Sequence, residues 1–427
     1  MDFMEKVKKL LRILGPGFVT GASDDDPSGI GTYSQTGAQF GYSQLWLALF
    51  SFPFMTVVQE MCGRIGIVNG KGLARIIKKN YPKPILYALV FILFIANTVN
   101  IGADLGAMAA SSQLLLGLPF MVWLLIMTVG TILLQVMIPY KTYSEYLKYL
   151  TISLLAYIIT AFALKLDWTK VLLSTFIPHF SMTQEYLMNI VAILGTTISP
   201  YLFFWQASEE VELLVKEEKL KNMSVGKPQV CQQDVKKMQL DTMAGMLFSQ
   251  VVMFFIIVTT AATLNVHHIT QIESPSQAAL ALKPIAGDFA FILFAAGIIG
   301  TGLLSVPVLA GSASYAISET LGWKLGLYKK PWEAKAFYGV IVLSTTLGYF
   351  INFIKIPPFK MLYYTAVLNG ICAPPLMVMI VLISSNKNIM GEHVSSRFST
   401  WTGWIITILM TVAAVALLFN LQQGSSG

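Results

Sequence analysis

Apolar runs about as long as a bilayer is thick recur from one end of this 427-residue chain to the other. A helix needs about 20 such residues to cross the hydrocarbon core. Eleven segments qualify, at roughly 12–37, 45–66, 85–107, 119–138, 144–166, 187–214, 240–264, 287–314, 336–354, 361–384 and 400–421. Lipid offers no partner for backbone polar groups, so the pattern predicts an all-α membrane protein of about eleven helices. Charged residues make up 12% of the chain, against about 25% in soluble domains, and no connection is long enough for a soluble domain. Residues 1–427 therefore read as one transmembrane domain. No small-residue cleavage site follows the first apolar run, so that run is expected to be retained. The terminal Gln-Gln-Gly-Ser-Ser-Gly is read as an appended or frayed tail.

Lys and Arg set the expected orientation, because basic residues collect on the cytoplasmic side. The N-terminus and alternate loops carry 24 of them, and the opposite side carries five: Lys165, Lys170, Lys283, Lys355 and Lys360. This asymmetry predicts a multi-pass protein of the plasma membrane with a cytoplasmic N-terminus and an external C-terminus. The net charge of +7 then reports topology and not nucleic-acid binding. The cluster Lys6, Lys8 and Lys9 is assigned to the same asymmetry, with contact to anionic lipid as the alternative. Three scattered cysteines (Cys62, Cys231, Cys372) give neither a disulfide framework nor a zinc-ligand spacing.

Within the first apolar segment stands Asp24-Asp25-Asp26-Pro27-Ser28-Gly29. Each charged residue near a helix centre costs roughly 2.5–3.5 kcal/mol on insertion scales, so three together require water or a cation. Pro27 interrupts the helix ladder and frees carbonyls. Such irregular backbone persists at membrane depth only against protein or a polar cavity. The sixth segment has a second interruption, Gly195-Thr196-Thr197-Ile198-Ser199-Pro200-Tyr201, five spans later and in a span of opposite direction. The pattern is that of inverted-repeat transporters, with a substrate site between broken helices near the midplane. Repeat one is read as 12–166, repeat two as 187–384, and 400–421 as an extra span.

Gly15-Pro16-Gly17, Asp26-Pro27, Gln59-Glu60 with Arg64-Ile65-Gly66, Asp104-Leu105 and the second break together resemble the Nramp family. The resemblance covers the first ten spans. It implies the LeuT-type fold, a 5+5 inverted repeat with spans 1 and 6 broken, and divalent-metal transport. In metal-carrying members the breaks read Asp-Pro-Gly-Asn and Met-Pro-His, and bind metal through the Asp and Asn side chains, a carbonyl three residues before the Met, and the Met thioether. On that pattern Asp26 matches the Asp and Gly29 replaces the Asn, while Ser199 replaces the Met and Thr196 supplies the carbonyl. The departures are similar to those of the bacterial Nramp-related magnesium transporters.

The chemistry of those departures points the same way. A thioether favours soft transition metals, whereas carbonyls and hydroxyls suit hard cations. Mg²⁺ prefers octahedral oxygen coordination and keeps several waters. A site lacking the Asn and Met has room for a partly hydrated ion among Asp26, the carbonyls near Gly29 and Thr196, and the hydroxyls of Ser28, Thr197 and Ser199. Asp24 and Asp25 are expected to face the vestibule and add negative potential; alternatively, one of the three aspartates is protonated or capped by backbone donors. The family's proton route uses an Asp and a Glu in span 3 and histidines in span 6; here Asp104 remains, while Ala107, Tyr201 and Gln206 occupy the other positions. Inward flux of a divalent cation gains about 4.6 kcal/mol per 100 mV without any coupled ion. The expectation is an uncoupled facilitator for Mg²⁺, also admitting Mn²⁺, with a proton-coupled Mn²⁺/Fe²⁺ symporter as the alternative.

Several polar residues carry two readings. Asn97, Asn100 and Asp104 share one helical face, as either a wall of the ion cavity or an interhelical hydrogen-bond patch. Asn369 and Gln35 read first as structural, and Glu60 with Arg64 as an ion pair. Glu209, Glu210 and Glu212 line an inner exit or form a solvated face. Residues 216–239 read as a linker with an amphipathic piece, and the glycines of span 8 as close-packing positions. Trp46, Trp323 and Trp401 are expected interface anchors. No phosphate loop, triad or acid/base pair is evident, so no enzyme and no cofactor are expected; the partners are the metal ion and the bilayer, with no obligate protein partner. A sodium-coupled amino-acid transporter on the same fold is disfavoured because three aspartates would repel a substrate carboxylate, and a receptor because no domain is appended.

Overall fold

The computed structural model describes residues 15–138, 142 and 153–424. The Lys6, Lys8 and Lys9 cluster and residues 144–152 of the fifth expected span lie outside them. The described chain is helical almost throughout. In order, the main helices are α1 (Pro16–Asp24), α2 (Pro27–Phe40), α3 (Trp46–Asn69), α4 (Leu73–Asn80), α5 (Lys83–Leu116), α6 (Phe120–Met137), α7 (Leu155–Ala163) and α8 (Trp168–Phe176). There follow α9 (Gln184–Thr197), α10 (Pro200–Lys216), α11 (Gln232–Thr260), α12 (Ala290–Leu321), α13 (Lys335–Ile351), α14 (Pro358–Ser384) and α15 (Arg397–Gly424). Eight stretches among the described residues are long and apolar enough to cross a membrane, Gln184–Lys216 counting as one of them. Pro16–Phe40 and Trp46–Asn69 are not among those eight.

Both polar interruptions are built alike. α1 ends at Asp24, Asp25 and Asp26 leave the helix, and α2 starts with Pro27 at its first turn. α9 ends at Thr197, Ile198 and Ser199 leave the helix, and α10 starts with Pro200. Proline disfavours helical backbone in the residue before it, yet suits a first helical position whose N–H would be unpaired anyway. Two non-helical residues followed by Pro therefore end one half-helix and begin the next.

α1 is fixed against α11, running alongside it in the same direction. Asp241 accepts the amides of Gly15 and Gly17, each at 2.8 Å, and so caps the N-terminus of α1. One turn on, Gly21 lies so close to Gly245 that a Cβ on it would stand 2.2 Å from the Gly245 carbonyl oxygen. A further turn on, Ser249 reaches Asp24. Small residues let helix backbones approach in this way. The glycines of α12 serve the same purpose: Gly302 meets Met108 of α5, and Gly311 meets the Trp205 ring of α10.

Three expectations shift here. The linker read at 216–239 is shorter, because α11 begins at Gln232 and its first turns are polar. α5 runs to Leu116 and α12 to Leu321, beyond the apolar windows that marked them. Glu60 and Arg64 do form the ion pair, with Nε 2.7 Å from Oε1, and Gln239 of α11 donates to the same carboxylate. On the outside of the bundle Phe91, Phe398 and Trp401 are 64%, 74% and 70% exposed, an apolar surface suited to lipid.

The α1–α11 contact leaves no room for a side chain. Gly245→Leu is expected to destabilise the protein by at least the roughly 1–3 kcal/mol that overpacking costs. Gly339→Ala, whose added methyl meets nothing within 4 Å, serves as control. Thermal unfolding in detergent checks this: the midpoint falls for the first variant and stays for the second.

Candidate functional site

The two breaks meet at Gly29. A Cβ there would stand 3.0 Å from the Asp24 carbonyl oxygen and 3.3 Å from the Thr196 hydroxyl oxygen, so the first and second breaks are in contact at this point. Tyr201 of α10 ties them again, its hydroxyl donating to the Ser23 carbonyl at 3.0 Å. Ser312 of α12 in turn donates to the Tyr201 carbonyl at 2.8 Å.

Asp26 is the N-cap of α2. Its Oδ1 accepts the Gly29 amide at 2.7 Å and the Ser28 hydroxyl at 2.6 Å. Its Oδ2 accepts one bond, from the Asn100 amide of α5 at 2.9 Å. A carboxylate has about four lone-pair positions. Oδ1 is therefore filled and Oδ2 keeps one position open, although Asp26 is only 1% exposed. The expected alternative of a capped aspartate thus applies to Asp26 itself.

Asp24 and Asp25 correct the expectation of a vestibule. Both are fully buried and turn toward α11, where Ser249 donates at 2.6 Å to Asp24 and lies 3.2 Å from Asp25. One hydroxyl has one proton, so the pair shares it. Asp24 Oδ1 and Asp25 Oδ2 have no donor. The three consecutive carboxylates are therefore divided, Asp26 facing α5 and the other two facing α11. The helix end at Asp24 turns the chain between them.

The second break contributes its hydroxyls inward. Ser199 Oγ stands 2.9 Å from the Gly195 carbonyl and 2.6 Å from that of Thr196, closing the end of α9. Thr197 Oγ1 bonds the Ile193 carbonyl of its own helix at 2.9 Å. Neither hydroxyl proton is turned to Asp26, and the Thr196 carbonyl already accepts one bond. Gln206 sits further along α10, donating to Glu210 at 2.9 Å and accepting from Thr20. It belongs with Glu209, Glu210 and Glu212, of which Glu212 accepts the Tyr315 hydroxyl and the Leu327 amide.

On α5 the three polar residues divide. Asn100 reaches Asp26; Asp104 Oδ2 accepts the Ser305 hydroxyl at 2.9 Å; Asn97 donates to the Leu309 carbonyl at 2.9 Å. Each has its other oxygen buried without a donor. Gln35 is structural, bonded to Gln39, Thr270 and Ile272, whereas the Asn369 amide nitrogen is unpaired. Sequence reasoning missed Asp241 and Ser249, and read Ser305 only as a close-packing residue of span 8. A spacing of four puts Asp241, Gly245 and Ser249 on one face of α11, a pattern that pointed to a shared partner.

Buried acceptors without donors are costly unless a cation or its waters satisfy them. Asp24, Asp25, Asn97, Asn100 and Asp104 each leave one, and none forms an ion pair among the described residues. Among the described residues no three His, Cys, Asp or Glu side chains converge as a metal-binding group. The groups bonded to the Asp26 carboxylate are the Ser28 hydroxyl, the Gly29 backbone amide and the Asn100 side-chain amide.

A model of the family described as Nramp, natural resistance-associated macrophage protein-like, matches residues 17–420. A divalent metal cation transporter MntH from Deinococcus radiodurans is 23% identical over 427 residues, covering 98% of this chain and 92% of that protein. The MntH of Agrobacterium fabrum is 25% identical over 429 residues, covering 97% and 88%. Among solved structures, a manganese transporter of Eremococcus coleocola aligns with a TM-score of 0.73 at 16% identity, over 97% of this chain and 87% of that one. Mhp1, a nucleobase-cation-symport-1 family transporter, aligns at 0.59 and 12% identity, over 95% and 91%. These likenesses show the fold.

Tyr201→Phe removes the hydroxyl that joins the two breaks and orphans the buried Ser23 carbonyl. The expected cost is about 1–3 kcal/mol, read as a lower unfolding midpoint in detergent with unchanged helical circular dichroism.

Proposed function

The chain belongs to the Nramp family, and on that premise we propose that it carries divalent cations across the membrane, taking Mg²⁺ and also Mn²⁺ at the two breaks as an uncoupled facilitator. The observation that carries this reading is the donor set at Asp26. One carboxylate position is open on Oδ2, which the Asn100 amide touches; the Ser28 hydroxyl bonds Oδ1, and the Asp24 carbonyl and Thr196 hydroxyl lie at the neighbouring Gly29. These are hard donors, which suit Mg²⁺ and leave the thioether preference of the family unexpressed. Ser199 stands where the thioether would be, and its hydroxyl is turned back on α9.

The absence of coupling is argued from side chains. Tyr201, at a histidine position of the family pattern, holds its hydroxyl on the Ser23 carbonyl and is no base at neutral pH. Gln206 cannot take up a proton either. Asp104 is bonded to Ser305, and Ala107 follows it where a Glu would continue the route. The membrane potential alone draws a divalent cation inward. The relatives named as manganese or divalent-metal transporters support the cation class and favour Mn²⁺ as an accepted ion.

Flux into liposomes with Mg²⁺, Mn²⁺ or Ca²⁺ outside and a pH dye inside tests the proposal. Mg²⁺ uptake at constant internal pH is expected; Mn²⁺ uptake alone, with acidification, would establish the proton-coupled alternative instead. Asp26→Ala should reduce flux of every ion by more than the roughly 10–100-fold typical of losing a second-shell partner. Ser199→Met combined with Gly29→Asn should move preference toward Mn²⁺. Because position 29 is crowded by Asp24 and Thr196, the double variant also requires a shift of a few tenths of an ångström at the junction.

A further inference from the structure

We propose that Asn100, together with Asp104, reads the water shell of the transported ion, so that α5 adds to the broken helices in discriminating a hydrated cation from a stripped one. The inference rests on the reading of Asp26 as the ion's carboxylate. It starts from a repeated arrangement on α5: one atom of each polar side chain is pinned and the other is free. Asn100 Nδ2 is held by Asp26 Oδ2 at 2.9 Å, and Asp104 Oδ2 by Ser305 at 2.9 Å. Asn100 Oδ1 and Asp104 Oδ1 are buried with no donor.

The pinning fixes what the free atoms can do. Asp26, ionised, only accepts, so the Asn100 amide must present its NH₂ to it, and Oδ1 is committed to the other side. The open position of Asp26 is on Oδ2, the same oxygen that holds Asn100. An ion seated there lies beside the Asn100 amide, so that its waters, and not the ion itself, span to Oδ1 on the far side of that amide. Asp104, four residues on, is on the same face of α5. Water bound to a cation donates both its hydrogens outward and needs acceptors, which the two free oxygens supply. Mg²⁺ sheds its waters reluctantly, so such acceptors serve it more than an ion that enters stripped. Gly29 offers no side chain to displace those waters.

Asn97, one turn away, also has a donor-less oxygen, but its amide is held by the Leu309 carbonyl of α12 and not by Asp26, so it provides the control. The test uses the full chain in liposomes, with uptake of Mg²⁺ and Mn²⁺ measured for the wild type, Asn100→Ala and Asn97→Ala. Hexaamminecobalt(III), whose ammine shell does not exchange and donates hydrogen bonds like the aqua shell, is the competitor. For the wild type, Mg²⁺ uptake inhibited competitively by the cobalt complex is expected. Asn100→Ala should lower the ratio of Mg²⁺ to Mn²⁺ uptake by about ten-fold, in the range for losing one second-shell partner, and weaken inhibition by a similar factor. Asn97→Ala should change the two ions in parallel. No inhibition of the wild type, or a parallel fall of both ions in Asn100→Ala, would overturn the inference while leaving the transport proposal standing. If the wild type takes up no Mg²⁺, both are overturned. Should Asn100→Ala fail to fold, the wild-type competition decides alone.

Discussion

The carboxylate of Asp26 is the interaction on which the site is organised. As N-cap it satisfies the Gly29 amide and the Ser28 hydroxyl, and so permits a helix to begin in the middle of the bundle. A helix start at membrane depth leaves orphan N–H groups that lipid cannot satisfy, and Asp26 Oδ1 answers one of them. The same group, through its second oxygen, holds α5 in place by Asn100. Capping and packing therefore draw on one side chain. Oδ1 is filled by the helix start and Oδ2 keeps one position open.

The rest of the structure keeps this arrangement rigid. α1 cannot slide along α11, because Asp241 grips its first amides and Gly21 meets Gly245 with no space for a methyl. The Glu60–Arg64 pair of α3 is joined to α11 through Gln239, so α11 is fixed on both sides. Asp24 and Asp25 place carboxyl groups on the α11 side, and Asp26 and Asp104 on the α5 side. Among the described residues none of the four has a basic partner, so together they favour a cation between these helices.

Much of this was legible in the chain. Pro27 and Pro200 mark where the half-helices restart because proline dictates local backbone without reference to partners. The Glu60–Arg64 pair was legible for the same reason, its two members lying four residues apart on one helix. Asn97, Asn100 and Asp104 were legible only as a face, because periodicity places residues on a side of a helix and says nothing of what stands opposite. The vestibule expected for Asp24 and Asp25 failed on that point. Charge cost demanded polar surroundings, but whether water or a serine of α11 provides them depends on a helix more than 220 residues away.

The sequence by itself determined that this chain spans a membrane, where its two helices break, and that hard oxygens and not sulfur or imidazole stand at the breaks. These follow from side-chain chemistry, hydropathy and the fixed geometry of proline, all local properties. The tertiary structure alone decided how the three aspartates divide, that Ser199 and Thr197 turn their hydroxyls back on α9, and that Asn100 stands beside the open oxygen of Asp26. Each depends on which helix packs against which, and the direction of a buried polar atom is set by the partner that satisfies it.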